Sequence, residues 1–267
     1  MITDIFTLPL DHILIMFITG ALAAIVNAFA GGGSFIGFPV LLSLGLPPVI
    51  ANGSLKLALI PGNLSAAFAY RHHVIKNGVS FVLILSIGMI CGATGAYTVI
   101  WLGNEKFKYF IPWLLLGATF LSYFSTMIKE TLQSGAIKSM NRVKGFLGYG
   151  LLVFSALYGG FFGAGLGIFL IATLNFIDLD DIHQINAVKN ILSVFINFAA
   201  ILIFISNGEI SWPHTVVLLI GSIMGGYFGG LVGQAIHPKY IKKGIVVIGL
   251  ILSLYYFGKY GFLEGLF

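Results

Sequence analysis

Charged residues are scarce in this sequence of 267 residues, because they make up 9% of it while hydrophobic residues make up 58%. A soluble domain needs roughly a quarter of its residues charged to keep its surface polar. The mean hydropathy of +1.01 and apolar runs of about 20 residues instead predict helices that cross a bilayer core about 30 Å thick. These runs lack the alternation of membrane-spanning strands. We therefore predict an all-α membrane protein.

Two further shortages exclude classes of chemistry. The single cysteine, Cys91, excludes an intrachain disulfide and a cysteine-based metal cluster. The apolar runs contain no acidic pair, no H-E-x-x-H and no G-x-S-x-G, so the sequence predicts no enzyme, no cofactor and no metal site. They also offer no carboxylate for sodium or proton coupling. The net charge of +5 lies mostly between the apolar runs, and nothing favours nucleic-acid binding.

The apolar runs form the same series twice, with one long segment, one short segment and three long segments in each half. A short segment of about 12 residues reaches only about 18 Å as a helix and cannot cross the bilayer alone. It is predicted to be the return arm of a re-entrant hairpin bent at a glycine cluster. The predicted segments are 10–30, 34–46, 48–70, 79–101 and 108–128, then 145–163, 166–177, 184–206, 213–236 and 241–260.

The two halves also resemble each other residue by residue, at an offset of 134 positions. Equivalent pairs are Gly31 and Gly165, Gly33 and Gly167, Asn52 and Asn186, and Asn63 and Asn197. Lys and Arg concentrate in loops 71–78, 129–144 and 237–243, which are therefore predicted to be cytoplasmic. The basic loop 71–78 corresponds to loop 207–212, which has no Lys or Arg. Equivalent loops thus face opposite sides, as in inverted-topology repeats.

This pattern predicts a first transmembrane repeat over 1–130, a cytoplasmic linker over 131–144 and a second repeat over 145–267. Each repeat has an odd number of crossings if its hairpin enters and returns on one side of the membrane. Both termini are then external.

Polar residues form a stripe on one segment of each half. Asn52, Lys56 and Asn63 fall within about 40° of one another on a helix. The second stripe contains Asn186, Asn190, Ser193 and Asn197, with Lys189 beside it. The asparagines could simply join helices by hydrogen bonds. Because no carboxylate is available to the lysines, the sequence also predicts an anion site near the midplane.

Glycines that precede the short segments are a second candidate for anion binding. The first cluster is Gly31, Gly32 and Gly33 with Ser34, and the second contains Gly165 and Gly167. A helix that begins at membrane depth presents free N–H groups and a positive dipole end to a small anion. Close helix packing is the alternative explanation for these glycines.

The run N-A-F-A-G-G-G-S-F-I-G-F-P, then G-L-P-P and A-N-G-S-L-K-L-A-L-I-P-G-N, resembles the TauE/SafE family of sulfite exporters. The resemblance covers essentially the whole chain and includes glycines 31 to 33, Asn52 and Lys56. It implies a multi-pass inner-membrane transporter that moves sulfite, sulfonates or related small anions outward. The second half departs from the pattern, because Asn190 occupies the position equivalent to Lys56. Lys56 is therefore expected to meet the substrate charge.

The sequence thus predicts an exporter of small sulfur-containing oxyanions, whose partners are the anion and the lipid bilayer. Two alternative functions stay open, namely a channel-like permease for another small anion and a membrane scaffold without transport activity. Assembly into a homo-oligomer stays open for each of these functions.

Overall fold

The computed structural model describes residues 8–30, 32–69, 78–133, 141–177, 182–232 and 238–260. Within these ranges the chain forms nine α-helices and no strand, so the predicted all-α class is confirmed. The helices are α1 Leu10–Ala30, α2 Ser34–Ser43, α3 Pro48–Ala69, α4 Gly78–Gln133, α5 Asn141–Phe161, α6 Leu166–Phe176, α7 Ile182–Ser206, α8 Trp212–Val232 and α9 Pro238–Tyr260.

Proline and glycine mark several of these helix ends. Pro48 and Pro238 are the first residues of α3 and α9, where a missing N–H costs no intrahelical bond. Gly45, with φ of 87°, follows α2, and Gly208, with φ of 73°, follows α7. A left-handed residue at this position stops a helix and lets later N–H groups bond to its last carbonyls.

The predicted break between two segments is confirmed, but it is shorter than the expected loop 102–108. α4 consists of two helices that meet at a kink with one non-helical residue, Gly103 (φ 68°, ψ 175°), and the charged residues after it are helical. We call 78–102 the first arm of α4 and 104–133 the second arm. The helix resumes at Asn104, whose side-chain oxygen accepts a hydrogen bond from Val49 N at 2.9 Å. Glu105 and Lys108 form an ion pair one turn apart, which is compatible with a helix.

The outer surface suits a lipid environment. In the part of the chain that the structure describes, three helices are long and apolar enough to cross a membrane, with apolar stretches at Leu10–Asn27, Phe81–Phe124 and Ala187–Ser206. Large apolar side chains on them point outward, including Ile90 and Trp101, which are 68% and 72% exposed. Such extensive exposed apolar surface is disfavoured in water.

Glycines permit the closest helix contacts. α1 packs mainly against α8, where Gly20 and Gly221 each lie directly on backbone of the opposite helix. The first arm of α4 packs on α5 in the same way through Gly95 and Gly160. α3 packs on α7 and α8, whereas α4 also contacts α7 and α9. Small residues let membrane helices approach closely and gain dispersion energy.

The two short helices follow sharp bends. α2 has 10 residues and packs on α1, while α6 has 11 residues and packs on α5. The second bend contains Gly163 and Gly165, with φ of 83° and 74°. Phe162 in this bend packs edge-to-face on Phe38 of α2, with ring centroids 5.1 Å apart. The first residues of both short helices are thereby brought close to α3 and α7.

Candidate functional site

A polar cavity of about 40 Å³ lies between α3, α7, the two short helices and the end of α1. One water molecule needs roughly 10 to 15 Å³ on the same measure, so the cavity has room for a few water molecules or a small anion. Its lining residues are Asn27, Ser34, Lys56, Leu59, Asn63, Phe162, Gly163, Leu166, Gly167, Lys189, Asn190, Ser193 and Asn197. These described residues include two lysines and no Asp or Glu. The cavity wall is therefore rich in hydrogen-bond donors and formally cationic.

Both polar stripes contribute to this wall. Lys56 and Asn63 come from α3, and Asn190, Ser193 and Asn197 come from α7. Each set repeats at intervals of three, four or seven residues, so its members share one helix face. Lys189 also lines the cavity although its Cα lies beside the stripe. A long side chain can reach around its helix to a neighbouring face.

Lys56 is bound to the end of α5. Its side chain is 7% exposed, and its Nζ donates to the carbonyl oxygens of Gly159 at 2.5 Å and Phe162 at 3.2 Å. The last carbonyls of a helix lack intrahelical donors and carry the negative end of the helix dipole. They stabilise the ammonium in place of a carboxylate.

Lys189 is buried to the same extent but is not bound in this way. Its side chain is 6% exposed. None of the hydrogen bonds and ion pairs among the described residues involves its Nζ. The ammonium group therefore has its hydrogen-bonding capacity available at the cavity.

The start of α6 adds a backbone donor. The N–H groups of Leu166, Ile168 and Phe169 donate to Gly163 or Gly165, whereas that of Gly167 has no backbone acceptor among the described residues. Gly167 lines the cavity, as does Ser34 at the start of α2. Two short helices thus present their N-terminal turns to one cavity, and such turns favour anions.

Other predicted site residues lie elsewhere. Asn52 donates to the carbonyl oxygen of Phe161 at 2.7 Å and does not line the cavity, which is the helix-joining role left open above. Gly33 lies against the Ala23 backbone of α1, in agreement with close packing. Gly32 and Gly165 belong to the bends without lining the cavity. Gly31 lies outside the described residues.

Asn186 belongs to α7, but its side chain is outside the described part of the chain. The residue that sequence reasoning missed is Asn27. Its amide donates to the side-chain oxygen of Asn63 at 2.7 Å, and both side chains line the cavity. The 134-residue offset pairs Asn27 with Phe161, so the comparison of the halves gave no signal for it. The sequence signal that could have identified Asn27 is its position as a polar residue near the end of the apolar segment 10–30.

These groups match the chemistry of an oxyanion. Ammonium, amide, hydroxyl and backbone N–H groups all donate hydrogen bonds, and bonds from or to a charged group are the strongest. Among the described residues, the cavity combines all four kinds of donor and no carboxylate that would repel an anion. Arrangements of this kind can hold a small anion without forming a covalent bond to it.

The chain has relatives among known membrane proteins. A "Probable membrane transporter protein" of Haemophilus influenzae is 27% identical over 249 residues, which cover 91% of this chain and 94% of that protein. "Probable membrane transporter protein ORF9" of Sinorhizobium sp is 28% identical over 90% of both chains. "Probable membrane transporter protein YfcA" of Escherichia coli K12 is 25% identical over 90% of this chain and 87% of that protein. No solved structure matches the chain.

The match to a family is nearly as long as the chain. Residues 16–256 match the family described as "Sulfite exporter TauE/SafE", and they include every residue that lines the cavity. The resemblance seen in the glycine-rich run and the Asn-x-x-x-Lys helix is confirmed by this match. The chain therefore belongs to the TauE/SafE sulfite exporter family.

Proposed function

We propose that this protein is a transporter that exports small sulfur-containing oxyanions, such as sulfite or sulfonates, across the inner membrane. The observation that carries the proposal is the cavity itself, in which two buried lysines meet the N-terminal turns of α2 and α6, with no carboxylate among the lining residues that the structure describes. The name of the family points to sulfite export, and the names of the relatives point to membrane transport. Binding is achieved by hydrogen-bond donors, and no chemical step on the substrate is needed.

The proposed carrier consists of two inverted repeats, 1–130 and 145–267, joined by the cytoplasmic linker 131–144. Helix packing supports this arrangement, because exchanging the two halves converts most of the observed helix pairs into pairs that are also observed. α1 corresponds to α5, and the first arm of α4 corresponds to α8, so the contact of α1 with α8 matches the contact of α5 with the first arm of α4. α3 and α7 correspond to each other, and they are in contact. In the inverted arrangement, the cavity lies at the interface of the repeats and both termini are external.

Alternating access follows from this arrangement. Rocking of one repeat against the other would open the cavity first to the cytoplasm and then to the outside. The membrane potential is negative inside and contributes about 2.3 kcal/mol per charge per 100 mV to the exit of an anion. Export therefore needs no coupling ion.

Transport by purified protein in lipid vesicles tests the proposal. Vesicles loaded with sulfite or methanesulfonate should release the anion at a rate that saturates with its concentration. Ser193→Leu should lower this rate at least tenfold, because Ser193 is buried and lines the cavity. Ser86→Leu is the matched control, since Ser86 is exposed on α4 and bonds only to its own helix.

Three results would contradict the proposal in different ways. If vesicles with the protein release the anion no faster than loaded vesicles without protein, the transport function is wrong. A rate that never saturates would indicate a channel-like permease. If Ser193→Leu and Ser86→Leu lose transport equally, the loss does not depend on the cavity, and the cavity is not the transport site.

A further inference from the structure

The two lysines of the cavity differ in their partners although both are almost completely buried. We infer that Lys189 is the cation that meets the transported anion, while Lys56 is a positioning residue that holds the bend between α5 and α6. This inference rests on the proposed function and assigns its charge recognition to one residue. It reverses the expectation from sequence, in which Lys56 carried that role.

Lys56 is already committed to protein groups. Two of its three N–H donors bond to the carbonyl oxygens of Gly159 and Phe162. Those carbonyls lie at the end of α5 and just beyond it, where the helix dipole is negative. A β-carbon on Gly163 would lie 2.9 Å from Nζ, so the glycine leaves just enough room for the ammonium group. These contacts make Lys56 a part of the cavity wall.

Lys189 has the properties expected of a ligand-binding lysine. It is 6% exposed, it lines the cavity, and its ammonium group has no hydrogen-bond acceptor among the described residues. The described residues that line the cavity offer this ammonium group no carboxylate, and an anion in the cavity would supply the counter-charge.

The surroundings of Lys189 favour the same ligand. Asn190 and Ser193 are buried beside it on α7 and line the same cavity. Across the cavity, Gly167 N–H has no backbone acceptor among the described residues. An oxyanion has several oxygen atoms and could accept bonds from α7 and from the start of α6 together.

Thermal unfolding of the full-length protein in detergent separates the two roles. Without anion, Lys56→Gln should unfold at a lower temperature than wild type, because two carbonyls lose their donor. Lys189→Gln should unfold at the wild-type temperature or above, because it removes a charge that has no counter-charge among the described residues. Sulfite or methanesulfonate should raise the unfolding temperature of wild type and Lys56→Gln, but not that of Lys189→Gln.

Transport kinetics provide a second measurement. Lys189→Gln should raise KM at least tenfold, and Lys189→Arg should recover most of the anion-induced stabilisation because it retains the charge. Lys56→Gln should lower the maximal rate more than it changes KM. Lys189→Met provides the same test with an apolar side chain if the glutamine variant does not fold.

The inference fails if wild type transports the anions and Lys189→Gln does so with unchanged KM. It also fails if Lys56→Gln loses the anion-induced stabilisation while Lys189→Gln keeps it. If wild type neither transports nor is stabilised by sulfite or methanesulfonate, the proposed function itself fails, and the inference fails with it.

Discussion

Lys56 on α3 donates a hydrogen bond to the carbonyl oxygen of Gly159 on α5, at 2.5 Å and across 103 positions of sequence. The bond connects a polar stripe of the first half of the chain to the glycine bend of the second half. Asn52, one turn earlier on α3, makes a parallel connection to Phe161. The position of the α5–α6 bend therefore depends on two side chains of α3.

Asn52 is expected to stabilise the fold without binding the substrate. Asn52→Leu removes the amide that donates to the carbonyl oxygen of Phe161. The free energy of unfolding should fall by about 0.6 to 2 kcal/mol, as for other hydrogen bonds between membrane helices. KM for sulfite should stay within about twofold of wild type, a change worth less than RT. Asn207→Leu, at an exposed position, is the control. A large rise in KM with unchanged stability would contradict this role and would indicate that Asn52 binds the substrate.

Gly163 should not tolerate a side chain. Its φ of 83° disfavours any other residue, and a β-carbon would press on Nζ of Lys56. Gly163→Ala should cost about 1 to 3 kcal/mol of stability and lower the transport rate. Gly150→Ala on α5 is the control, because that glycine is exposed and a β-carbon there meets nothing within 4 Å. Equal behaviour of the two variants would contradict the role of the bend.

The inverted arrangement predicts the sides of two loops. Single cysteines introduced as Val74→Cys and Asn207→Cys, in a protein that also carries Cys91→Ala, should react with an impermeant thiol reagent from opposite sides of the membrane. Position 74 lies in the basic loop predicted to be cytoplasmic, and 207 follows α7. Reaction of both cysteines from one side would rule out inverted repeats.

Glu209, in the connection between α7 and α8, should make stability depend on pH. Partial burial raises the pKa of its carboxyl group above the usual value. The folded protein therefore holds this proton more tightly than the unfolded chain, and stability falls as the pH rises between the two pKa values. Glu209→Gln should unfold at a higher temperature than wild type at neutral pH. The difference should vanish below a pH of about 4.3. A difference that grows as the pH falls would contradict this assignment.

The fold could be largely predicted because membrane helices are encoded in long apolar runs. The predicted segments 48–70 and 166–177 correspond to α3 and α6 within a residue at each end. The division of α4 at Gly103 was also predicted, although the second helix begins closer to the break than the sequence indicated. Glu105 and Lys108 pair one turn apart on the helix surface, so charged residues there are compatible with a helix.

The site could be predicted only in part. Helical periodicity was sufficient to place Lys56 and Asn63 on one face of a helix, and both side chains line the cavity. Periodicity carries no information about depth or about the neighbouring helix, so the bonds from Asn52 and Lys56 to the end of α5 could not be foreseen. The same limit applies to Lys189, whose importance depends on which acceptors surround its side chain.

The close contact between α1 and α8 also constrains how the protein is made. α1 leaves the ribosome long before α8, the helix on which Gly20 packs. Native packing of α1 must therefore wait until α8 has been inserted. Contacts so distant in sequence slow folding. The early helices of this protein are expected to assemble within the bilayer after translation of the later ones.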